Sequence, residues 1–270
     1  IDLQLDYEDV EIVCDNTLVF QHKPLHGTSP YIIRAWHVPS HKHHTVLIAV
    51  HGAGRDRRAF LRHLPIFIEH GYSVLLIDCR EHGLSEMNGK GIGWCTRECV
   101  DVIHAAHYAR KELGYQRVVA LGTSQGGASC ILATAIGDEC VNGKQSDKHS
   151  NQYQHLIDGV IAENPFASRE RAMMDILYFV FERHSPALLI TLLRPITSFF
   201  VWIIIFFVRI RLGLFIPSYA SCKYALNSLY HSHQFHKKTY CYDGIPLHHL
   251  NPIDVIGSIC PRPVLLLHGT

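Results

Sequence analysis

The residues best suited to chemistry in this sequence are Gly122-Thr123-Ser124-Gln125-Gly126. An apolar run typical of a β-strand precedes them, and a helix-like run follows. A serine on a sharp turn between strand and helix exposes its hydroxyl as a nucleophile, and the helix N-terminus favours the developing negative charge. Glycines two residues to either side let the backbone fold tightly. The pattern predicts Ser124 as the nucleophile of an acyl transfer; the alternative is a glycine-rich turn without a catalytic role.

A second motif, His51-Gly52-Ala53-Gly54, directly follows a predicted strand at residues 46–50. Acyl transfer generates an oxyanion that two backbone N–H groups can stabilise. The residue after the nucleophile, Gln125, supplies one of them, and the turn containing Ala53 supplies the other. The alternative for residues 51–54 is an ordinary turn between a strand and a helix.

A third motif, Asp78-Cys79-Arg80-Glu81-His82-Gly83-Leu84-Ser85, resembles the D-x-R-x-H-G-x-S loop of many α/β hydrolases. Together with the two motifs above and residues 163–166 and 263–269, it resembles that superfamily across nearly the whole chain. The similarity is closest to the esterase/lipase and serine-aminopeptidase-like branch, which includes membrane-associated members. The resemblance implies that Asp78, Arg80 and His82 brace the oxyanion turn and are not catalytic. It also implies that no cofactor is needed.

The resemblance further implies a catalytic triad in the chain order Ser, then Asp or Glu, then His. Both partners of Ser124 would follow Thr270, so we expect a C-terminally truncated chain that is inactive alone. Weaker alternatives are Glu163 as the acid and His82 as the base, whereas His268 lies in the lead to the acid loop. The remaining candidate histidines have no suitable context: His231, His233, His236, His248 and His249.

Short apolar runs alternate with helix-like stretches, which predicts an α/β-hydrolase fold: a mostly parallel, doubly wound sheet with a helical cap inserted after the sixth strand. We predict a single domain over residues 1–270, with its core at about 1–167 and 251–270, a cap at about 168–250, and its final strand and helix missing. An antiparallel hairpin should open the sheet, and residues 137–154 should form a surface loop. The predicted strands are 11–20, 31–38, 45–50, 73–78, 117–121, 159–162 and 263–267, and the predicted helices are 57–70, 95–113 and 126–135.

Residues 188–211 contain a strongly apolar segment inside the predicted cap, followed by Arg209 and Arg211. A membrane span needs about 20 apolar residues, and the uninterrupted run is shorter. The predicted strands before and after the segment belong to one sheet, which also argues against a membrane crossing. A buried cap helix and a helix lying on a membrane surface both remain open.

Composition narrows the class of protein further. Hydrophobic residues make up 47% and charged residues 18%, and the formal net charge is +1, so the basic footprint of a nucleic-acid-binding protein is missing. The nine cysteines form no C-x-x-C pair, which favours reduced thiols and an intracellular location, in the cytoplasm or on a membrane facing the cytosol. The 21 histidines cluster without completing a metal site. The oligomeric state stays open.

The leading functional hypothesis is a serine hydrolase that cleaves the carboxylic ester or thioester of an apolar acyl substrate, such as a lipid, through an acyl-enzyme on Ser124. The first alternative is a serine aminopeptidase-like peptidase, and the second is a non-catalytic binding protein of the same fold.

Overall fold

The computed structural model describes these residues: 5–15, 19–20, 23–24, 30–40, 42–89, 91–142, 155–184, 199, 203, 206–207 and 250–269.

A seven-stranded sheet forms the centre of the fold. Its strands are β1 (Glu8–Cys14), β2 (Tyr31–Val38), β3 (Thr45–Val50), β4 (Ser73–Ile77), β5 (Arg117–Thr123), β6 (Gly159–Glu163) and β7 (Val264–Leu267). β1 pairs antiparallel with β2, β2 pairs antiparallel with β4, and every other pair is parallel. Nearly all residues of β3 and β4 are buried, as expected for parallel strands covered on both faces. Across the sheet, the strands lie in the order β1-β2-β4-β3-β5-β6-β7.

Helices connect the parallel strands. The α-helices are α1 (Leu64–Glu69), α2 (Glu98–Lys111), α3 (Gln125–Asn142), α4 (Arg169–His184) and α5 (Pro252–Val255), and the 3-10 helices are Arg57–Phe60 and Ile256–Ile259. α3 packs against β5, β6 and α2, which explains why even its Ser129 and Thr134 are fully buried. Their hydroxyls donate to carbonyls one turn earlier, those of Gln125 and Cys130. The parallel strands place their carboxyl ends at one edge of the sheet, where ligands bind in open α/β folds.

The opening hairpin forms, but its predicted bounds of 11–20 are wrong. β1 begins at Glu8 because Val10, Ile12 and Cys14 alternate inward against β2. After Cys14 the chain leaves the main sheet, and Val19–Phe20 pairs instead with Lys23–Pro24.

The helix predicted at 57–70 is interrupted. A 3-10 helix ends at Phe60, and α1 begins at Leu64 with a proline in its first turn. Proline lacks an N–H and suits this position, since the first N–H groups of a helix have no intrahelical acceptor. The helix predicted at 95–113 begins later, at Glu98, because Trp94 and Cys95 adopt positive φ angles.

Residues 137–142 are helical, so the prediction of a surface loop there is wrong. α3 continues to Asn142, well beyond the predicted residue 135. The polar character of the stretch was misleading because Asp138 has partners within the fold. Its carboxylate accepts from the Leu156 N–H and lies 2.8 Å from Nδ1 of His155. The rest of that predicted loop, residues 143–154, lies outside the described residues.

The chain divides into two compact units, Ile1–Arg169 with Asp243–Thr270, and Glu170–Tyr242. The second unit follows the sixth strand of the main sheet, and its role as a cap stays a prediction. Within the apolar segment 188–211, only Phe199, Ile203, Phe206 and Phe207 are described, and they are helical. Across the described residues, we found no helix with the length and apolar character that a membrane crossing requires.

Candidate active site

Ser124 occupies the turn between β5 and α3, which we call the nucleophile turn (residues 122–126). Its side chain is exposed, and its φ angle of 53° lies in the left-handed region. Such a conformation costs a residue other than glycine about 1–3 kcal/mol. Backbone contacts hold it, because the Ser124 N–H donates to the Glu163 carbonyl at 2.8 Å and the Ser124 carbonyl accepts from the Ala128 N–H at 3.0 Å.

The two glycines of the nucleophile turn permit a close approach of strand and helix. A Cβ atom on Gly122 would lie 2.4 Å from the backbone carbon and oxygen of Gly126. A Cβ atom on Gly126 would lie 2.2 Å from the carbonyl oxygen of Val50, at the end of β3. Both distances are impossible for side-chain carbon, so the spacing of the two glycines about Ser124 has a steric cause.

The turn at residues 51–54, which we call the oxyanion turn after its predicted role, lies against Ser124. A Cβ atom on Gly52 would be 3.4 Å from the Cβ of Ser124. Gln125 opens α3, so its N–H has no acceptor within the helix. Its side chain is buried, whereas Ala53 is exposed. The structure therefore brings Ser124, Gln125 and the oxyanion turn together, and the use of the Gln125 and Ala53 N–H groups as oxyanion donors stays a prediction.

Two buried histidines join the oxyanion turn to the loop after β4, with ring centroids 4.8 Å apart. His51 Nδ1 donates to the Gly52 carbonyl at 2.8 Å, and its Nε2 accepts from the Cys79 N–H at 3.1 Å. His82 Nδ1 donates to the Arg80 carbonyl at 2.9 Å, and its Nε2 accepts from the Gly54 N–H at 3.3 Å. Backbone N–H groups only donate, so both Nε2 atoms are unprotonated in this arrangement. Burial lowers the pKa of His51, which favours its neutral form.

These contacts bear on the alternative in which His82 is the general base. Both of its ring nitrogens are engaged with backbone groups, and Nε2 is directed to the oxyanion turn through Gly54. The contacts support the interpretation of His82 as a bracing residue.

Asp78 is buried at the end of β4, and backbone N–H groups satisfy both of its carboxylate oxygens. Oδ1 accepts from the Arg57 N–H at 2.7 Å, and Oδ2 accepts from the Leu84 N–H at 2.9 Å. The buried Arg57 guanidinium also lies 3.4 Å from Oδ2. Sequence reasoning missed Arg57, which begins the 3-10 helix after the oxyanion turn. Asp78 thus ties the loop after β4 to that helix, in keeping with a structural role.

Arg80 belongs to a buried ionic network with Asp101 of α2 and Tyr31 of β2. The Arg80 Nε and backbone N–H donate to the two Asp101 oxygens at 2.8 and 2.9 Å, and the Tyr31 hydroxyl donates to Asp101 at 2.6 Å. The guanidinium carbon also lies 4.1 Å from the Tyr31 ring centroid. Burial by itself lowers the pKa of Arg80, but Asp101 and Tyr31 outweigh it and raise that pKa.

Asp101 and Tyr31 were not identified from sequence. A buried arginine requires an acidic partner, but helical periodicity does not say which acid of the chain that partner is. We call Asp78, Arg57, Arg80, Asp101 and Tyr31 the bracing network.

The predicted triad partners are not assembled at Ser124 in the described part of the chain. No histidine ring or carboxylate there hydrogen-bonds to Ser124 Oγ. Glu163 contacts Ser124 through its backbone carbonyl, and its role as an acid stays a prediction. His268 is exposed, with Nδ1 2.8 Å from the Gly269 carbonyl oxygen. The remaining candidates, His231, His233, His236, His248 and His249, lie outside the described residues, as does Thr270.

Metal chemistry was not expected from the sequence. Within the described ranges, no group of three or more histidine, cysteine, aspartate or glutamate side chains is placed to hold a metal ion.

Comparison with known proteins identifies the fold. The sequence profile described as the alpha/beta hydrolase family matches residues 47–234. Among solved structures, the chain is similar to the alpha/beta hydrolase GrgF from Penicillium sp. sh18, with 18% identity over 97% of this chain and 79% of that one, and a TM-score of 0.50. Comparison with curated protein sequences gave no significant match.

The chain is also similar to two esterases at lower coverage. It matches Pyrococcus furiosus esterase Pf2001 at 18% identity over 72% of this chain and 65% of that one, with a TM-score of 0.48. It matches Est1E from Butyrivibrio proteoclasticus, which was solved with ferulic acid bound, at 19% identity over 50% and 49%, with a TM-score of 0.40. The chain thus spans less than two thirds of the length of either esterase. Together, the family match and the similarity to GrgF confirm the predicted fold class.

Proposed function

Because this chain belongs to the α/β-hydrolase family, we propose that it is a serine hydrolase that cleaves the carboxylic ester or thioester of an apolar acyl substrate. The observation that carries the proposal is the geometry of Ser124. Its side chain is exposed, its backbone is left-handed, and the oxyanion turn lies against its Cβ.

Ser124 Oγ attacks the carbonyl carbon of the substrate, and its proton passes to a general base. The Gln125 and Ala53 N–H groups hold the negative oxygen of the tetrahedral intermediate; losing one such donor typically costs about 10²–10³ in rate. The C–O or C–S bond then breaks, the leaving group takes the proton, and an ester to Ser124 remains. Water adds to this ester by the same route, which releases the acid and restores the serine.

Hydrogen bonds with His51, His82 and Asp78 support this proposal by explaining how the oxyanion turn keeps its geometry. Oxyanion donors act only when they are held in place before the reaction begins. The Gly54 N–H is bonded to His82, and Asp78 holds the Arg57 N–H three residues later. Both ends of the segment that contains Ala53 are thus restrained, because the Gly52 carbonyl also accepts from His51.

Active-site labelling tests the proposal directly. The complete protein is treated with a fluorophosphonate probe, and the modified residue is located by mass spectrometry. We expect the label on Ser124 and none in Ser124→Ala. Absence of labelling, or labelling that persists in Ser124→Ala, would contradict the proposal and favour a non-catalytic binding protein.

A substrate panel then tests the bond that is cleaved. Acyl esters, acyl thioesters and peptide amides with matched apolar groups are compared by kcat/KM. We expect esters and thioesters to be cleaved faster than amides, because resonance gives the amide C–N bond partial double-bond character and raises the barrier to acyl transfer. Faster cleavage of amides would favour the aminopeptidase-like alternative.

A further inference from the structure

An aromatic pair, Trp94 and Phe166, lies at the same edge of the sheet as the nucleophile and has no part in the chemistry described above. We propose that these two rings form one wall of the pocket that binds the apolar acyl group of the substrate. The proposal rests on the proposed function, since it assigns a binding surface to the same site.

The position of Phe166 follows from the contacts of β6. The last residue of that strand, Glu163, accepts the Ser124 N–H at 2.8 Å, so the ends of β5 and β6 touch at the nucleophile. Phe166 lies three residues further on, which is at most about 11 Å of extended chain. Pro165 adjoins the first turn of α3, because a Cβ atom on Gly127 would lie 3.4 Å from its Cβ. Phe166 therefore lies at the same edge of the sheet as Ser124.

Trp94 reaches the same place from the connection between β4 and α2. Its ring centroid lies 6.4 Å from that of Phe166, with the ring planes at 56°, which is within the range of attractive aromatic pairs. Both side chains are only half-buried. Two connections that leave the carboxyl edge of the sheet thus converge in an apolar surface that is still partly open.

The backbone at Trp94 is held in an unusual conformation. Trp94 and Cys95 have φ angles of 51° and 74°, and successive left-handed residues with side chains are rare. The flanking Gly93 is fixed on both sides, since its carbonyl accepts from Thr96 Oγ1 at 2.8 Å and its N–H donates to Glu98 Oε1 at 2.6 Å. Glu98 is fully buried, and burial raises its pKa, which favours the neutral acid.

This arrangement differs from ordinary core packing. A pair that only filled the core would be fully buried, and it would not require two adjacent left-handed residues. Strained residues that the surrounding structure holds in place cluster at ligand-binding sites. Pockets for small molecules are lined mainly by apolar and aromatic side chains. A partly open aromatic surface at the edge of the sheet that carries Ser124 therefore fits an acyl group longer than acetyl.

Binding is tested without catalysis. In the complete protein, Ser124→Ala prevents turnover, and Trp36→Phe with Trp202→Phe leaves Trp94 as the only tryptophan of residues 1–270. A parallel Trp94→Phe variant identifies the part of the fluorescence signal that comes from Trp94. Titration with methyl hexanoate should change the Trp94 fluorescence saturably, and Phe166→Ala should raise the Kd at least about 10-fold. No saturable change, or a Kd that Phe166→Ala leaves unaltered, would overturn the proposal.

Specificity is tested in the active protein. Trp94→Ala should lower the ratio of kcat/KM for a hexanoyl ester to that for an acetyl ester about 10-fold, and Trp94→Phe should restore most of the ratio. The matched control is Tyr7→Ala, which breaks a similar aromatic pair with Trp36 (5.5 Å, 58°) on the opening strands and should leave the ratio unchanged. Equal losses for both esters in Trp94→Ala would show a merely structural role and overturn the proposal.

The two proposals fail separately. If the fluorophosphonate leaves Ser124 unmodified while methyl hexanoate still changes the Trp94 fluorescence, the proposed hydrolase activity is rejected. The proposed binding wall of Trp94 and Phe166 is then still supported. If Ser124 is labelled, but methyl hexanoate does not change the fluorescence and Trp94→Ala does not change the ester ratio, the proposed hydrolase activity is supported. The proposed binding wall is then rejected.

Discussion

The nucleophile turn and the bracing network lie side by side at one edge of the sheet, yet they are built in opposite ways. Ser124 is exposed, left-handed and held by backbone hydrogen bonds. Asp78, Arg80 and Asp101 are buried, and their charged side chains form ion pairs or accept hydrogen bonds from nearby backbone N–H groups. The proposed role of Ser124 requires an accessible hydroxyl, and packing elsewhere in the fold offsets the cost of its strained turn. The comparison predicts that function and stability respond to different substitutions.

Ser124→Gly should separate the two properties most strongly. It removes the nucleophile, so we expect kcat/KM to fall by at least about 10⁴. It also removes the strained side chain, so the free energy of unfolding should rise by about 1 kcal/mol. Ester hydrolysis and urea unfolding measure the two effects.

The matched control is Ser129→Gly, one turn further along α3. Ser129 lies inside the helix, so the same substitution should lower the free energy of unfolding by about 1 kcal/mol. A loss of stability in Ser124→Gly as large as that in Ser129→Gly would show that the left-handed turn stores no strain.

Breaking the bracing network should have the largest effect on stability. Asp101→Asn leaves the positive charge of Arg80 buried without its counter-charge. Arg80→Met leaves the negative charge of Asp101 buried in the same way. Each should lower the free energy of unfolding by about 3–5 kcal/mol in urea unfolding, and the double variant should lose much less than the sum.

An exposed ion pair provides the control for this network. Arg58 lies 2.6 Å from Asp56, and its side chain is 71% exposed. Arg58→Met should therefore leave the unfolding midpoint unchanged within error. Additive losses in the Arg80 and Asp101 variants, or an equal loss in Arg58→Met, would refute the distinction between buried and exposed pairs.

Acid should weaken the contact that His51 makes between the oxyanion turn and the loop after β4. Burial lowers the pKa of His51 below its ordinary value of about 6.5, so the unfolded chain binds a proton on this residue before the folded protein does. The contribution of His51 to stability is complete above pH of about 6.5 and is lost as the pH falls towards the lower pKa of the folded state.

Unfolding midpoints measured against pH test this expectation. His51→Gln should reduce the steepness of the acid-side decline, whereas the same change at the exposed His44 should not. Identical slopes in the wild type and His51→Gln would exclude His51 as a source of the acid sensitivity.

The smallest effect is expected at Glu163. If it serves the nucleophile only through its backbone carbonyl, Glu163→Gln should change kcat/KM by less than about 2-fold in an ester assay. A fall of about 10⁴ would instead identify Glu163 as the acid of the triad.

Much of the fold could be predicted because its signals are local. The buried strands β3 to β6 are continuous apolar runs, and glycines mark the nucleophile turn. The errors occurred where distant residues decided the outcome. Asp138 was predicted in a loop because it is polar, but its carboxylate accepts a hydrogen bond from the distant Leu156 N–H. The start of α2 shifts to Glu98 because Trp94 and Cys95 are left-handed.

The site shows the same division. The positions of Ser124, Gln125 and the oxyanion turn were predicted from motifs in which neighbours along the chain share one function. Asp101, Tyr31 and Arg57 escaped prediction, because their roles depend on partners 20 or more residues away that no spacing rule connects.

The sequence by itself determined the sharp turn at Ser124, the two glycines around it and the alternation of strands and helices, since these follow from local sterics and hydrophobic periodicity. Only the tertiary structure decided that Gly52 lies against Ser124, that His82 holds the Gly54 N–H and that Arg80 is neutralised by Asp101. Those contacts join separate strands, and the parallel order of the sheet brings the strand ends to one edge.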